Sequence, residues 1–242
     1  MSVLFVGLDH VATLRQAGGS RDPDPVIVAG LAELAGAGGL SLTIGRERNG
    51  VQERDVRLLR DTVRSALNVC LPPLDEWVKL ALAIRPDLVS LTSEGREAFG
   101  AERGLDVEDR LSELQPVIGT LRSGGIAVSI LVEPAPAQVK AAHRAGAEAV
   151  LLHTGRYGWA GDVGTRAAEF EKLVNAAKIG RKLGLTVHAG GGLGYQSAAQ
   201  VGQVSEIEAV HVGHSLIARA ALVGVREAVR ELLRTLAGGE GR

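Results

Sequence analysis

The segment LTVHAGGGLGYQSAAQVGQVSEIEAVHVGHSLIARA, residues 185–220, shows the pattern on which the whole chain is built. It contains two short apolar runs, Leu185–Ala189 and Ala209–Val212, and each run is soon followed by glycine. The second run leads directly into a long helix-period segment, Ser215–Leu236. Short buried strands that pass through tight glycine turns into helices are typical of a parallel α/β fold.

The same alternation extends back to the N-terminus. Six more strands are predicted at Val3–Leu8, Leu40–Ile44, Leu67–Leu71, Asp87–Leu91, Ile126–Val132 and Ala147–His153. Helix-period segments with charged outer faces lie between the strands, at Gln52–Ala66, Leu74–Ile84, Glu108–Arg122, Pro136–Arg144 and Arg166–Lys182. Eight strand–helix units in 242 residues predict one α/β domain over residues 1–242, a single (β/α)8 TIM barrel.

A doubly wound open sheet is the main alternative. That fold normally carries a glycine-rich nucleotide turn after its first strand. Here the first strand runs into Asp9 and His10, and the glycine clusters follow the seventh and eighth strands instead. The barrel is therefore the favoured fold.

Composition and charge exclude several classes of protein. A chain that is 45% hydrophobic and 23% charged suits a soluble globular domain. With 27 basic and 28 acidic residues, it has no global positive field to attract nucleic acid or an anionic membrane. The single cysteine, the absence of signal-peptide features in MSVLFVGLDH, and the lack of an apolar run of about 20 residues indicate a cytoplasmic protein without a membrane span.

The glycine clusters predict an anion site. They read HAGGGLGY (188–195) and HVGHSLIARA (211–220), and they follow the two strands whose loops commonly bind phosphate in such barrels. Glycine lets the backbone approach an anion closely, and the free N–H groups at a helix start point towards it. The alternative is that these glycines only form tight turns.

Strand alternation predicts which side chains enter the barrel mouth. The inward set is Gly7, Asp9, Thr43, Asn68, Cys70, Leu152, Thr154, His188 and His211. His188 and His211 are expected to be neighbours, with Asp9 brought beside His211 by closure of the barrel. These three form an acid–base set, a facial set of ligands for a divalent metal, or hydrogen-bonded imidazoles without a chemical role.

The other candidate side chains also leave two interpretations open. For His10 and His153, a structural role is as consistent with the sequence as a functional one. Cys70 fits a buried small hydrophobe better than a nucleophile, since no base adjoins it. The stretch from Thr92 to Asp106 follows the fourth strand and is expected to cover the site.

Several motifs together resemble the pyridoxine 5'-phosphate synthase family, from about Phe5 to about Leu236. They are DHVATLR (9–15), DPDP (22–25), ERDVRLLR (53–60), RGLDV (103–107), HTGRY (153–157), LGLTVHAGGGL (183–193) and VGHSLIARA (212–220). The resemblance implies a (β/α)8 barrel that forms a homo-oligomer. It also implies condensation of 3-amino-2-oxopropyl phosphate with 1-deoxyxylulose 5-phosphate, with release of phosphate and water and without a metal or organic cofactor.

The resemblance also assigns site residues. Together with the glycine cluster after the seventh strand, which contributes Gly191, it gives a substrate- and phosphate-binding set of His10, Arg15, Arg96, Thr154, Gly190, Gly191, Gly192, Gly213 and His214. Asp9 and Glu94 stand where the family has the same residues, and His188 and His211 replace two family asparagines. Asp9, Glu94, His188 and His211 are accordingly the predicted catalytic residues.

Other positions differ from the family pattern. Family histidines fall on Thr43, Gly50 and Gly191, glutamates on Cys70 and Leu152, arginines on Gly18 and Gly45, and an asparagine on Gly7. Because positioned acids and bases contribute on the order of 10²–10⁴-fold each, we expect a condensing enzyme with altered chemistry on a phosphorylated carbonyl or amino-ketone substrate. The alternatives are a non-catalytic phosphometabolite-binding relative or partner subunit, and a metal-dependent lyase or oxygenase.

Overall fold

The protein is a closed parallel barrel in the computed structural model, which describes residues 2–45, 50–93 and 104–238. Within these residues the eight strands are β1 (Val3–Gly7), β2 (Gly39–Thr43), β3 (Ala66–Leu71), β4 (Leu88–Leu91), β5 (Ala127–Val132), β6 (Ala149–His153), β7 (Thr186–Gly190) and β8 (Ala209–Val212). Each strand pairs with the next, and β8 pairs with β1. The predicted (β/α)8 barrel is therefore confirmed.

The helices surround the barrel. Within the described residues they are α1 (Asp9–Ala17), α2 (Pro25–Ala35), α3 (Glu53–Thr62), α4 (Asp75–Ile84), α5 (Leu111–Ser123), α6 (Pro136–Ala145), α7 (Gly155–Gly158), α8 (Val163–Lys182), α9 (Tyr195–Gly202), α10 (His214–Val223) and α11 (Val225–Leu236). No helix in this described part is long and apolar enough to cross a membrane.

The predicted continuous helix Ser215–Leu236 is wrong. The structure divides this segment into α10 and α11 at Gly224, whose φ of +83° places it in the left-handed region. Side chains with a Cβ rarely adopt that conformation, whereas glycine adopts it at little cost. The hydrophobic period continues across the break because both helices pack on the same core.

The main core lies between the strands and the helices, and it is built from apolar side chains. Outward-facing strand residues such as Val6, Leu152 and Val187 are fully buried there. Inside the barrel, small polar side chains pair with one another instead. Asn68 donates from Nδ2 to Ser41 Oγ at 3.0 Å and accepts from Ser90 Oγ at 2.9 Å. The barrel interior therefore contains a layer of hydrogen-bonded polar side chains on β2, β3 and β4.

The predicted register of β6 is wrong by one residue. Leu151 pairs with His188 and His153 pairs with Gly190, so Leu151 and His153 share the inward face. Leu152 instead belongs to the core under the helices. Because side chains alternate with a period of two, a shift of one residue exchanges the two faces of a strand completely.

Candidate functional site

The glycine turn after β7 is held from two sides. Gly191 and Gly192 have φ values of +98° and +71°, which close the turn tightly. On one side, Thr154 donates its N–H to the Gly190 carbonyl at 2.8 Å and its hydroxyl to the Gly191 carbonyl at 2.5 Å. On the other side, Ser215 Oγ donates to the Leu193 carbonyl at 2.7 Å. The turn is therefore anchored to the ends of β6 and β8.

The start of α10 lies beside this turn. Gly213 caps the helix, and a Cβ at Gly7 would lie only 2.9 Å from the Gly213 Cα, so the backbones of β1 and β8 approach closely at the mouth. The rings of His10 and His214 lie 5.0 Å apart. Burial lowers the pKa of His10, and His214 lowers it further.

The structure thus brings together seven of the predicted binding residues in one sector of the mouth. They are Gly190, Gly191, Gly192, Gly213, His214, His10 and Thr154. The N–H groups of the first turn of a helix are not used within that helix. This sector can therefore offer backbone donors and a favourable helix dipole to a phosphoryl group.

His188 and His211 are neighbours, as predicted. His188 Nδ1 lies 3.1 Å from His211 Nε2, and both rings are buried inside the barrel. Phe5 stacks on His211 with ring centroids 4.5 Å apart. A Cβ at Gly190 would come within 2.8 Å of the His211 Cβ, so the glycine leaves room for this imidazole.

Burial keeps both imidazoles neutral at pH 7. It lowers the pKa of His188 to about 4. Burial, and secondarily the neighbouring His188, lowers the pKa of His211 well below its usual range. Removing a cation from water is costly, and no carboxylate among the described residues contributes to the pKa of either ring to offset that cost.

Asp9 is directed towards β2. Its Oδ1 accepts the N–H of Thr43 at 2.7 Å. The β1 residue that pairs with His211 is Phe5, which precedes Asp9 by four residues, so strand pairing does not place Asp9 beside His211 as predicted. Among the described residues, no group of three or more His, Cys, Asp or Glu side chains is arranged to hold a metal ion. The catalytic role of Asp9 stays a prediction.

Arg15 is engaged in a buried ion pair. Its guanidinium donates to both carboxylate oxygens of Asp55, at 2.8 and 2.6 Å, and to the Gly50 carbonyl at 2.7 Å. These bonds join α1 to α3, and the substrate-binding role of Arg15 stays a prediction. Glu94 and Arg96 lie outside the described residues, as does most of the predicted cover Thr92–Asp106.

The contact between Glu133 and His153 at the mouth was not predicted from the sequence. Glu133 directly follows β5, and its Oε1 lies 3.1 Å from Nδ1 of His153 at the end of β6. The hydrogen bond from His153 lowers the pKa of Glu133 and outweighs the opposing effect of burial. The sequence feature that could have indicated Glu133 is its position directly after a strand, because functional side chains of these barrels lie at the carboxyl ends of the strands.

Solved structures with low sequence identity share the fold. Thiamine phosphate pyrophosphorylase from Pyrococcus furiosus matches with a TM-score of 0.61 at 18% identity, covering 99% of this chain and 97% of that one. KGPDC from Streptococcus mutans matches with a TM-score of 0.65 at 13% identity, covering both chains completely. At such identities the likeness shows the barrel alone.

Closer relatives share the sequence over its full length. A pyridoxine 5'-phosphate synthase of Syntrophotalea carbinolica is 47% identical, covering 99% of this chain and 100% of the relative. One of Syntrophobacter fumaroxidans is 45% identical, with coverage of 98% and 100%. The family model for the pyridoxal phosphate biosynthesis protein PdxJ matches residues 4–238. The chain therefore belongs to the PdxJ family of pyridoxal phosphate biosynthesis proteins.

Proposed function

We propose that this chain is a pyridoxine 5'-phosphate synthase, which condenses 3-amino-2-oxopropyl phosphate with 1-deoxyxylulose 5-phosphate. The observation that carries the proposal is the meeting of the β7 and β8 glycine turns at one mouth, in a chain 41–47% identical to named synthases. Nothing in these comparisons indicates the altered chemistry or the non-catalytic role considered from the sequence.

The glycine sector holds a substrate phosphate in this proposal. Gly191 and Gly192 present an open backbone, and the first N–H groups of α10 from His214 onward add the positive end of the helix dipole. The chain carries a net charge of only −1, so the attraction is local rather than global. Gly190, Gly213, His10 and Thr154 support this cradle through the contacts described above.

The histidine pair binds the substrate carbonyl as a neutral unit. With a pKa of about 4, His188 is protonated in only about one molecule in a thousand at pH 7, which makes it a weak base. Two neutral imidazoles carry two N–H groups, and their mutual bond uses one of them. The other N–H remains to donate to a carbonyl oxygen, as a preorganised donor in a dry site.

The direct test is product formation. Purified protein, supplied with both substrates in the presence of a chelator, is expected to form pyridoxine 5'-phosphate and release inorganic phosphate. Product is followed by chromatography and phosphate by a colorimetric assay. Calorimetric binding of either substrate without turnover would instead support the non-catalytic alternative, and it would overturn the proposal.

The histidine pair is tested with His188→Leu and His211→Leu, which remove the N–H donors at similar side-chain volume. Losing a preorganised hydrogen-bond donor is expected to lower kcat by about 10²-fold, with the fold checked by circular dichroism. The unfolded state gains protons on these histidines below pH 6.5, whereas the native pair stays neutral to about pH 4. Wild-type stability should therefore fall more steeply from pH 7 to pH 4 than that of the double variant. Equal slopes would show that the rings are not held neutral.

A further inference from the structure

Glu133 and His153 form a carboxylate–imidazole pair on neighbouring strands. Val132, the last residue of β5, pairs with Leu152 of β6. Glu133 and His153 each come next in the chain, so they lie side by side on the inward face. The His153 ring is 7% exposed, and the carboxylate also accepts the Gly104 N–H at 3.2 Å. Arg156 Nε lies 3.6 Å from Glu133 Oε2. The pair is held in place from several directions.

The hydrogen bond between Glu133 and His153 determines which tautomer the His153 imidazole adopts. Hydrogen bonds to Glu133 lower the pKa of its carboxyl, so Glu133 is ionised at neutral pH and can only accept. His153 Nδ1 must then carry the hydrogen. In a neutral ring this leaves the lone pair on Nε2, the nitrogen on the far side of the ring from Glu133.

His153 Nε2 is buried and has no hydrogen-bond partner among the described residues. A buried acceptor without a partner costs about 1–3 kcal/mol, which a ligand could relieve. Glu133, Gly155 and Gly191 surround the ring. A Cβ at Gly191 would lie 2.9 Å from Nε2, and one at Gly155 would lie 3.0 Å from it. The lone pair therefore lies directly beside the glycine turn that receives the phosphate in the proposed function.

We propose that His153 is a catalytic residue that exchanges a proton with substrate through Nε2, and that Glu133 is its positioning residue. The inference rests on the proposed function for the identity of the reaction. The neutral His188–His211 pair would polarise the carbonyl, and His153 would carry the proton. His153 differs from the His188–His211 pair in having an adjacent carboxylate, Glu133, that stabilises an imidazolium.

The step balances without another reagent. His153 Nε2 takes a proton from the carbon next to the polarised carbonyl. The C–H electron pair forms a C=C bond, and the carbonyl π pair moves onto its oxygen, which gives an enolate that the His188–His211 pair stabilises. The C=O bond then re-forms, the C=C pair shifts to the neighbouring carbon as its C–O bond breaks, and the imidazolium gives its proton to the departing hydroxyl group, which leaves as water. His153 ends neutral, ready for another cycle.

The kinetic test compares His153→Gln and Glu133→Gln with surface controls. His153→Gln is expected to lower kcat by about 10²–10⁴-fold while the calorimetric Kd for inorganic phosphate stays within about twofold. Glu133→Gln should lower kcat by at least about tenfold, because the ring can then adopt either tautomer. His143→Gln and Glu113→Gln are matched controls at exposed positions and should retain wild-type kcat.

A second measurement does not depend on turnover. In ¹⁵N-histidine NMR spectra, assigned through His153→Gln, wild-type His153 is expected to show protonated Nδ1 and unprotonated Nε2, and inorganic phosphate should shift the Nε2 resonance. Glu133→Gln should give a mixture of tautomers. A protonated Nε2 on a neutral wild-type ring, or a kcat for His153→Gln within threefold of wild type, would overturn the inference. Absence of wild-type product, together with the expected tautomer and phosphate response, would instead refute only the proposed function.

Discussion

Asp55→Ala is expected to lower the free energy of unfolding by about 3–5 kcal/mol, the usual cost of breaking a buried ion pair. The Asp55 side chain is 0% exposed, and the Arg15 side chain that it binds is 6% exposed. Without Asp55, the guanidinium stays buried without its counter-charge. Asp55 also accepts the Gln52 N–H at 2.9 Å, so the variant loses the cap at the start of α3 as well.

Urea denaturation of Asp55→Ala and Asp61→Ala measures this difference. Asp61 lies on the same helix but is exposed, so its variant should differ from wild type by no more than about 0.5 kcal/mol. A loss below about 1 kcal/mol in Asp55→Ala would contradict the expectation. It would show that the ion pair is accessible to water in solution.

The same pair predicts a dependence of stability on pH. Burial by itself would raise the pKa of Asp55, but hydrogen bonds from Arg15 and Gln52 outweigh burial and lower it. A depressed carboxyl pKa contributes stability above the unfolded value of about 3.9, and this contribution is lost as pH falls through the folded pKa. The difference between wild type and Asp55→Ala should therefore shrink below about pH 4.

Gly158→Ala is expected to reduce kcat/KM for the phosphorylated substrates by about 10²-fold, because it displaces the glycine turn that binds phosphate in the proposed function. A Cβ at Gly158 would overlap the Gly192 carbonyl oxygen and lie 2.8 Å from the Gly192 carbonyl carbon. Both obstacles are backbone atoms, so rotation of a side chain cannot relieve them. The Gly158 N–H also donates to the Thr154 carbonyl at 2.8 Å, which fixes the Gly158 backbone in this position.

Gly161→Ala is the matched control. Gly161 lies three residues further along, and a Cβ there would meet nothing within 4 Å. Kinetics should therefore stay near wild type, whereas in Gly158→Ala the Kd for inorganic phosphate should rise. Trp159 lies against Gly192 and is 53% exposed, so its fluorescence also reports on the turn. Unchanged phosphate affinity in Gly158→Ala would argue against a phosphate site at this turn.

The sequence was sufficient to predict the barrel and the meeting of the two glycine turns at its mouth. Strand–helix alternation is a local pattern, and eight repeats leave few ways to bury every apolar strand. The adjacency of His188 and His211 also followed from the chain, because both stand two residues before a glycine on consecutive parallel strands. These inferences needed only periodicity and the rule that parallel strands end at one edge.

Tertiary structure alone decided which polar side chains form hydrogen bonds and ion pairs with one another. The period of two on β6 fits either face, and only pairing with β7 directs His153 rather than Leu152 inward. The motif around Arg15 gives no sign of its partner, and only the fold brings Asp55, forty residues away, against its guanidinium. Glu133 and His153 are likewise twenty residues apart in sequence. Charge pairing and burial depend on distances in space, which a one-dimensional pattern does not contain.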